Sequence, residues 1–276
     1  WVKTDYAEDR WITAMEIRPT HPEVVHHVLV FLEEPPKEGE SRRDVQERWQ
    51  GGLHGYFAGL VPGQADTHYP AGMAKRLPAG AWLKFQLHYT PNGTEQQDKP
   101  EVGFLFADVD QIDQEVITTQ IGNQDFEIPA GENQHVVTAT SQPTEQELTM
   151  LSMSPHMHLR GKAFRYELLL PTGEREVLLD VPAYDFNWQT RYRLAEPRQL
   201  PVGSVIFCRA EFDNSKSNPA NPNPDQSVRW GEQSWEEMML GFFDVVLPRD
   251  DERKPSTEPV STGFDIVGMF DAANGD

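Results

Sequence analysis

Short segments of alternating polar and apolar residues, separated by proline and glycine, are the feature that most constrains the fold of this chain. The 20 glycines and 22 prolines are spread along all 276 residues. In the segment 82–89, Phe85 and Leu87 fall on one face of a strand, and polar residues fall on the other. Short strands at near-regular spacing are typical of β-sandwiches and jelly rolls. We therefore predict an all-β protein with few helices.

Other segments carry the same kind of signal. Residues 164–170 and 176–181 flank the turn sequence Pro-Thr-Gly-Glu, which predicts a β-hairpin. Residues 204–213 alternate in the same way and predict another strand. Helical periodicity is weak, and the segments 44–49 and 144–150 could each form a turn or two of helix.

Two polar stretches bear on domain organisation. The turn-rich stretch 91–100 follows a strand directly, and we place a domain boundary within it. The predicted domains are 1–97 and 98–248, followed by a charged and polar tail over 249–276. The segment 214–227, rich in asparagine and proline, predicts a long connection between two strands.

Composition excludes several classes of function. The chain has 24 Lys and Arg against 44 Asp and Glu, a formal charge of −20, and phosphate binding needs a basic face, so nucleic acid is not an expected partner. No run approaches about 18 apolar residues, so we expect no membrane span. The single cysteine, Cys208, excludes an internal disulfide framework. Because the chain begins at Trp1 without Met, we expect N-terminal sequence to be missing from the first domain.

A pair of adjacent histidines, His26 and His27, lies inside a run of valine and leucine. Burying two imidazoles there costs free energy unless each ring finds a hydrogen bond or a ligand. One alternative places one ring in the core, bonded to a carbonyl group, and the other in solvent. Neighbouring side chains of a strand point to opposite faces. Both rings can therefore meet one ion only if the strand bulges, or if one ring uses Nδ1 and the other Nε2.

A second histidine pair has the spacing of a metal chelate. His156 and His158 are two residues apart, which places both on one face of a strand, and imidazole suits Zn, Cu, Fe or Ni. His88, on the polar face of its own strand, is a further ligand candidate. Met238 and Met239 are either plain core or a source of a soft thioether ligand. Histidine together with methionine favours copper.

Four motifs in order now point to a family. They are His26-His27, Gln86-Leu87-His88-Tyr89, His156-Met157-His158-Leu159-Arg160-Gly161-Lys162 and Glu236-Glu237-Met238. This order resembles the ascorbate-dependent type II copper monooxygenases, the family of peptidylglycine α-hydroxylating monooxygenase and dopamine β-monooxygenase. The resemblance covers about residues 9–246, nearly the whole chain.

The resemblance implies two β-sandwich, jelly-roll-like domains that face each other across a cleft, with one copper ion on each. It implies His26, His27 and His88 as ligands of the first copper, and His156, His158 and Met238 as ligands of the second; Met239 competes with Met238. In this family the all-histidine copper stores and passes an electron. The His/His/Met copper binds O₂ and attacks an aliphatic C–H bond, so its three ligands are the catalytic residues that the resemblance implies.

Positions around the second site depart from the family. The peptide-amidating members carry an Arg two residues before the His-x-His motif, and an Asn and a Tyr two and four residues after the Met ligand. Here those positions are Ser154, Leu240 and Phe242, so a glycine-extended peptide is not the expected substrate. Gln86 matches a position between the copper sites, where it would orient water or substrate.

The resulting expectation is a copper-dependent monooxygenase that hydroxylates an aliphatic C–H bond of a small organic substrate. It would use O₂ and an external one-electron donor, which could be ascorbate, a redox protein or an upstream haem domain. One alternative is a dicopper-binding or electron-transfer module without hydroxylase activity, and another is a zinc-stabilised adhesion module. We expect the protein outside the cytoplasm, periplasmic or secreted, because copper loading and O₂ chemistry are safer there.

Overall fold

The structure, a computed structural model, describes residues 1–32, 38–40, 55–64 and 66–249. In these ranges the chain forms eighteen β-strands and two single-turn 3₁₀ helices, with no α-helix. The predicted all-β class is confirmed. The helix candidate 44–49, and the predicted tail beyond Arg249, lie outside the described residues.

The strands alternate with short connections along the whole chain. They are β1 Val2–Lys3, β2 Arg10–Arg18, β3 Val25–Leu32, β4 Tyr56–Leu60, β5 Asp66–His68, β6 Met73–Leu77, β7 Trp82–Tyr89, β8 Glu101–Ala107, β9 Gln114–Gly122, β10 Glu127–Ile128, β11 His135–Thr140, β12 Leu148–His156, β13 Gly161–Leu169, β14 Arg175–Val181, β15 Tyr192–Leu200, β16 Val205–Phe212, β17 Val228–Arg229 and β18 Leu240–Pro248. The 3₁₀ helices are Pro22–Val24 and Val109–Gln111.

The chain divides into two compact units. The first contains residues 1–118 and the segment that begins at Val246, and the second contains residues 119–245. The predicted boundary between residues 97 and 98 lies before β8, which pairs with β2 of the first unit. The predicted domain limits stay a prediction.

The first unit is a sandwich of two sheets. One sheet has the order β1-β7-β3-β4, and in the other β2 pairs with β5, β6 and β8. Alternating positions of both sheets point inward and bury their apolar side chains against each other. The core includes Ile12, Met15 and Ile17 from β2, Val28 and Val30 from β3, Phe57 from β4 and Leu83 from β7.

The second unit also packs one sheet on another. One sheet has the order β11-β16-β13-β14, and β12, β18 and β9 are neighbours in the other. A Cβ atom at Gly241 of β18 would lie 2.8 Å from Cys208 Sγ and 2.9 Å from the Tyr166 ring, so only glycine permits this close approach. The Tyr166 hydroxyl donates to the Phe242 carbonyl oxygen at 3.1 Å, which fixes the two sheets at this level.

The strands predicted from alternation are all present, and β16 lies within the predicted segment 204–213. β7 covers the predicted segment 82–89, and β13 and β14 form the predicted hairpin, with Gly173 at a φ of 85° in its turn. The segment 144–150 is not helical, since β12 begins within it at Leu148 and pairs with β15. The apolar side chains at the end of this segment are buried in the sheet, and the free energy of this burial exceeds the weak helical preference of the segment. Across the described ranges, no helix has the length and apolar character to cross a membrane.

Candidate metal centres

The first histidine cluster lies in the first unit, where β3 and β7 pair. His27 lies directly opposite His88, and the pairing register shifts between Val25 and His27. A bulge here is one of the two conditions under which both adjacent histidines could meet one ion. Nδ1 of His26 and Nδ1 of His27 are 3.0 Å apart, and the ring centroids of His27 and His88 are 4.0 Å apart. The structure therefore brings the three predicted ligands of the first site together.

The ring nitrogens of His26, His27 and His88 do not all point to one common position. The rings of His27 and His88 are tilted by only 33° and lie almost face to face, whereas the lone pair of an imidazole nitrogen lies in the ring plane. In the described part of the chain, no group of three or more His, Cys, Asp or Glu side chains is arranged so that it could hold a metal ion. Rotation of the side chains would be needed for all three to coordinate together. The assignment of His26, His27 and His88 as ligands stays a prediction.

The separation of the His26 and His27 nitrogens nevertheless fits a shared ion. Two imidazole nitrogens, each about 2.0–2.1 Å from one metal ion, are separated by roughly 3 Å at the usual coordination angles. The observed Nδ1 to Nδ1 distance of 3.0 Å is close to this value, and it is also the length of a hydrogen bond in which one ring donates to the other. Burial, with the neighbouring His88, lowers the pKa of His26 and so favours the neutral ring that a metal ligand needs.

The second histidine pair lies in the second unit, at the end of β12. The rings of His156 and His158 have centroids 5.2 Å apart and are nearly perpendicular. Nδ1 of His156 is 2.7 Å from Oε1 of Gln189, and Nδ1 of His158 is 3.2 Å from the carbonyl oxygen of Glu236. The Gln189 amide is oriented by its own NH₂ group, which donates to the Phe186 carbonyl oxygen at 2.8 Å.

These two contacts determine the tautomer of both rings. An amide oxygen and a carbonyl oxygen only accept hydrogen bonds, so each Nδ1 carries the proton and donates. In the neutral form of each ring, Nε2 is then the nitrogen with the free lone pair. Metal-bound histidines in proteins almost always donate the other ring N–H to such an acceptor. The neutral pair therefore has the tautomer that a metal ligand requires.

Glu237 ties the histidine segment to the methionine segment. Its buried carboxylate accepts the backbone N–H of His158 at 2.8 Å and that of Arg160 at 2.6 Å. The backbone N–H of Met238 also donates to it. Burial raises the pKa of Glu237 to about 8, against the opposing effect of the N–H groups of Arg160 and His158. One side chain thus holds the backbone of two predicted ligands.

Arg160 extends this network into the interior. It is 1% exposed, its Nε donates to Asn214 Oδ1 at 2.8 Å, and its Nη1 donates to the Trp235 carbonyl oxygen at 2.9 Å. Asn214 begins the predicted connection 214–227, and its amide donates to the carbonyl oxygens of Pro129 and Gln226 at 2.9 Å each. The first residue of this connection is therefore hydrogen-bonded to Arg160, two residues after His158.

The two adjacent methionines have different surroundings. Met239 is fully buried, and its carbonyl oxygen accepts the N–H of Asn123 at 3.2 Å. Met238 is only partly buried, and it follows the Glu237 carboxylate that also binds His158. Met239 therefore belongs to the core. This difference favours Met238 as the thioether ligand, an assignment that stays a prediction.

Three positions predicted to adjoin the substrate share one sheet face with His156. The hydroxyl of Ser152 in β12 donates to the carboxylate of Asp244 in β18 at 2.8 Å, so these two side chains lie on the same face of the sheet. Side chains two residues apart on a strand point to the same face. The face therefore also carries Ser154 and His156 of β12, and Leu240 and Phe242 of β18. Leu240 is buried, whereas Ser154 and Phe242 are partly exposed. The fourth predicted position, Gln86, lies in β7 of the first unit, opposite Leu29 and on the same strand as His88.

The connection between β14 and β15 touches this site at several places. The rings of Phe186 and His158 are perpendicular, with centroids 6.0 Å apart. Gln189 forms the hydrogen bond to His156 described above. The Tyr184 hydroxyl donates to the Met157 carbonyl oxygen at 2.8 Å, and its burial raises the pKa of this phenol. Arg191 pairs with Asp244 at 3.3 Å. Sequence reasoning missed all four residues because the segment shows no periodicity and lies far along the chain from the histidines.

Comparison with known proteins does not give a family. No family model matches the chain, and no curated protein matches it. Solved structures aligned with it include the infectious bursal disease virus Gt strain, at 8% identity and a TM-score of 0.27 over 92% of this chain and 60% of that chain. Dimeric latent PorU from Porphyromonas gingivalis aligns at 9% identity and a TM-score of 0.21, over 93% of this chain and 26% of that chain. The chain spans at most 60% of the length of these two structures, and likenesses this distant carry no argument.

Proposed function

We propose that this protein is a copper-dependent monooxygenase that hydroxylates an aliphatic C–H bond of a small organic substrate. The observation that carries the proposal is the pair of contacts at Nδ1 of His156 and Nδ1 of His158, each with an oxygen that accepts hydrogen bonds. The two histidines lie at a turn whose backbone Glu237 links to that of the thioether-bearing Met238. Two imidazoles and a thioether form a donor set that favours copper and stabilises its reduced state.

His156, His158 and Met238 would hold the copper that supplies O₂ activation, and His26, His27 and His88 would hold a copper that supplies electrons. Electrons would come from an external one-electron donor such as ascorbate or a redox partner. We place the protein outside the cytoplasm as part of this proposal.

The chain's own residues hold the second donor set in place. Gln189 and the Glu236 carbonyl group keep the proton on Nδ1 of each ring, which prevents the rings from flipping. Glu237 fixes the backbone on both sides of the site. The Phe186 ring lies perpendicular to the His158 ring, with the ring centroids 6.0 Å apart, and His158 is only 5% exposed to water.

The substrate in this proposal is not an anionic peptide. Ser154 offers one neutral hydroxyl, and Leu240 and Phe242 offer no polar side-chain group on the same sheet face. A carboxylate would find no cationic partner among these three residues, and the net charge of −20 would repel it. The absence of a charged side chain at these three positions also supports a second candidate, a dicopper-binding or electron-transfer module without hydroxylase activity.

Oxygen consumption coupled to product separates these two functions. We expect the copper-loaded protein, reduced with ascorbate, to consume O₂ and hydroxylate members of a panel of neutral phenethyl and alkyl compounds. The His158→Ala variant should lose product formation. Product-free redox cycling in the wild type across the whole panel would support the electron-transfer module. Failure to bind copper at all, with zinc bound instead, would support the zinc-stabilised adhesion module.

A further inference from the structure

One long strand of the first unit has an open edge. β8 (Glu101–Ala107) pairs with β2 along its whole length, and none of the described strands pairs with its other side. A row of unpaired backbone N–H and C=O groups at a sheet edge is a template for the addition of another strand. None of the predicted metal ligands lies in β8, so this edge is independent of the proposed copper sites.

The backbone groups on the open edge belong to Val102, Phe104 and Phe106. The carbonyl oxygen of Leu105 accepts the hydroxyl of Thr13 in β2 at 3.3 Å, so Leu105 directs its backbone groups towards β2. Successive residues of an antiparallel strand direct their N–H and C=O groups to opposite sides. Val102, Phe104 and Phe106 therefore direct theirs away from β2. Among the described residues, no other segment forms a backbone hydrogen bond with these three.

β8 lacks the features that normally protect a sheet edge. Natural edge strands carry charged residues, or proline, which hinder the addition of another strand. The edge strand β15 follows this rule, since its middle contains Glu196, Pro197 and Arg198. In β8 the only charged residue is Glu101, at the first position, and the residues after it include no proline. This edge is therefore open to pairing.

Both faces of β8 are apolar at the open edge. Val102, Phe104 and Phe106 pack against the core of the first unit and are still partly exposed. On the opposite face the Leu105 side chain is 62% exposed. A Cβ atom at Gly103, on the same face as Leu105, would meet no atom closer than 4.0 Å. An apolar strand at an open edge indicates a surface that pairs with another strand.

A second copy of β8 complements this edge. In an antiparallel pair centred on Phe104, that residue lies opposite itself, and Val102 lies opposite Phe106. The outward N–H and C=O groups of these residues then bond to each other across the pair. Aromatic and β-branched side chains that lie opposite each other stabilise such a pair. On the other face each exposed Leu105 lies opposite Gly103 of the other copy, which has no side chain to obstruct it.

The same register keeps like charges apart. Each Glu101 lies opposite Ala107 of the other copy, so the two glutamates are about 20 Å apart at about 3.4 Å per residue. This distance exceeds the Debye length of about 8 Å at physiological ionic strength, and their repulsion is largely screened. A parallel pair in register would instead place the two Glu101 side chains next to each other. The charge pattern therefore favours the antiparallel arrangement.

We propose that β8 is the interface of a homodimer, in which the edges of two first units pair antiparallel about Phe104. Both copies use the same surface, so the assembly has the closed two-fold symmetry that is commonest among homo-oligomers. The pairing covers the open edge of both strands. It leaves no β8 edge for a third copy, and the assembly therefore stops at two chains.

Sedimentation velocity over a range of protein concentrations tests the dimer. We expect the wild type to change from a species with the mass of one chain to a species of twice that mass as concentration rises. Hydrogen exchange measured by mass spectrometry then locates the contact, and the peptide that contains β8 should be more protected at high concentration than at low. A wild type that stays monomeric up to millimolar concentration would overturn the inference. A dimer in which the protection of β8 does not change would do the same.

Substitution assigns the contact to the edge of β8. Leu105→Lys puts a charge at an exposed position of this edge, and we expect it to fold and to raise the dissociation constant of the dimer at least about tenfold. The matched control is Val177→Lys, the same kind of change at a residue that is 52% exposed in the edge strand β14. The control should leave the dissociation constant unchanged.

The variants also define the results that contradict the proposal. If Leu105→Lys dimerises as tightly as the wild type, or if Val177→Lys weakens the dimer equally, β8 is not the interface. If Leu105→Lys does not fold, the concentration dependence of hydrogen exchange in the wild type still decides.

Discussion

At the scale of single residues, Glu237 joins the backbone of the histidine segment to that of the methionine segment. Its carboxylate binds the backbone N–H groups of His158, Arg160 and Met238 from two distant parts of the chain. Each of these donors lies in a buried or partly buried region, where losing its acceptor is costly. The sequence shows Glu237 only as part of an acidic pair, and nothing in that pair indicates which member is buried.

Replacing Glu237 should therefore destabilise the protein. Glu237→Gln puts an NH₂ group against backbone donors, and we expect a loss of about 1–3 kcal/mol in the free energy of unfolding, because a buried donor is left without its acceptor. Urea denaturation followed by tryptophan fluorescence measures this. The adjacent control Glu236→Gln, at a side chain that bonds only to the Gln233 N–H in the described chain, should cost under about 1 kcal/mol. Equal losses of stability in the two variants would contradict this role of the Glu237 side chain in holding the backbone of both segments.

The choice between the two methionines is also decided at this scale. Met238→Ile nearly conserves volume and should cost less than roughly 1.5 kcal/mol. We expect this variant to fold and to lose the sulfur contribution to the X-ray absorption spectrum of the reduced, copper-loaded protein. Met239→Ile, in the core, should keep that contribution. The reverse pattern would show that Met239 is the ligand.

At the scale of elements, the close approach of two sheets at Gly241 is a feature that alternation alone does not reveal. The glycine faces Cys208 and Tyr166, both fully buried, and a Cβ atom would overlap them. Gly241→Ala should therefore cost about 1–3 kcal/mol by overpacking. Gly103→Ala in β8 is the control, since its Cβ would meet no atom closer than 4.0 Å, and it should stay within about 0.5 kcal/mol. Thermal unfolding compares them, and equal stability of the two variants would contradict this packing.

Strands with clear alternation could be predicted from the sequence because one face of each is buried. β7 and the hairpin of β13 and β14 match their predicted segments closely. The segment 144–150 could not be assigned locally, since its burial against other strands decides its structure. The sequence could also identify His26, His27 and His88 as candidates for one cluster. One antiparallel pairing of two strands, with a bulge in one of them, is enough to bring these three side chains close together.

Parts of the site that come from irregular connections could not be predicted. Gln189 and Phe186 lie in a connection with no periodicity, and they reach the histidines only through the folded arrangement of β12 and β15. Local sequence carries no signal for such contacts.

At the scale of the whole molecule, charge and the substrate face together predict selectivity. A charge-assisted contact to a carboxylate contributes about 1.5–3 kcal/mol, and Ser154 and Phe242 offer none. We therefore expect glycine-extended peptides to bind at least about tenfold more weakly than they do to an enzyme with a guanidinium at the position of Ser154.

Turnover on a paired panel tests this selectivity. The copper-loaded, ascorbate-reduced protein is compared on one peptide with a C-terminal glycine and on neutral phenethyl compounds. We expect product from the neutral compounds. Efficient hydroxylation of the peptide's glycine, with the neutral compounds inert, would contradict the selectivity inferred from these positions.

We infer that the two histidine clusters are two separate copper sites. The most direct measurement is the copper content of the protein after loading and dialysis, determined by elemental analysis for the wild type and for single-ligand variants. We expect two copper ions in the wild type, and one in each of His158→Ala and His88→Ala. A wild type that retains one copper ion or none when fully loaded, or a His158→Ala variant that retains both, would contradict it.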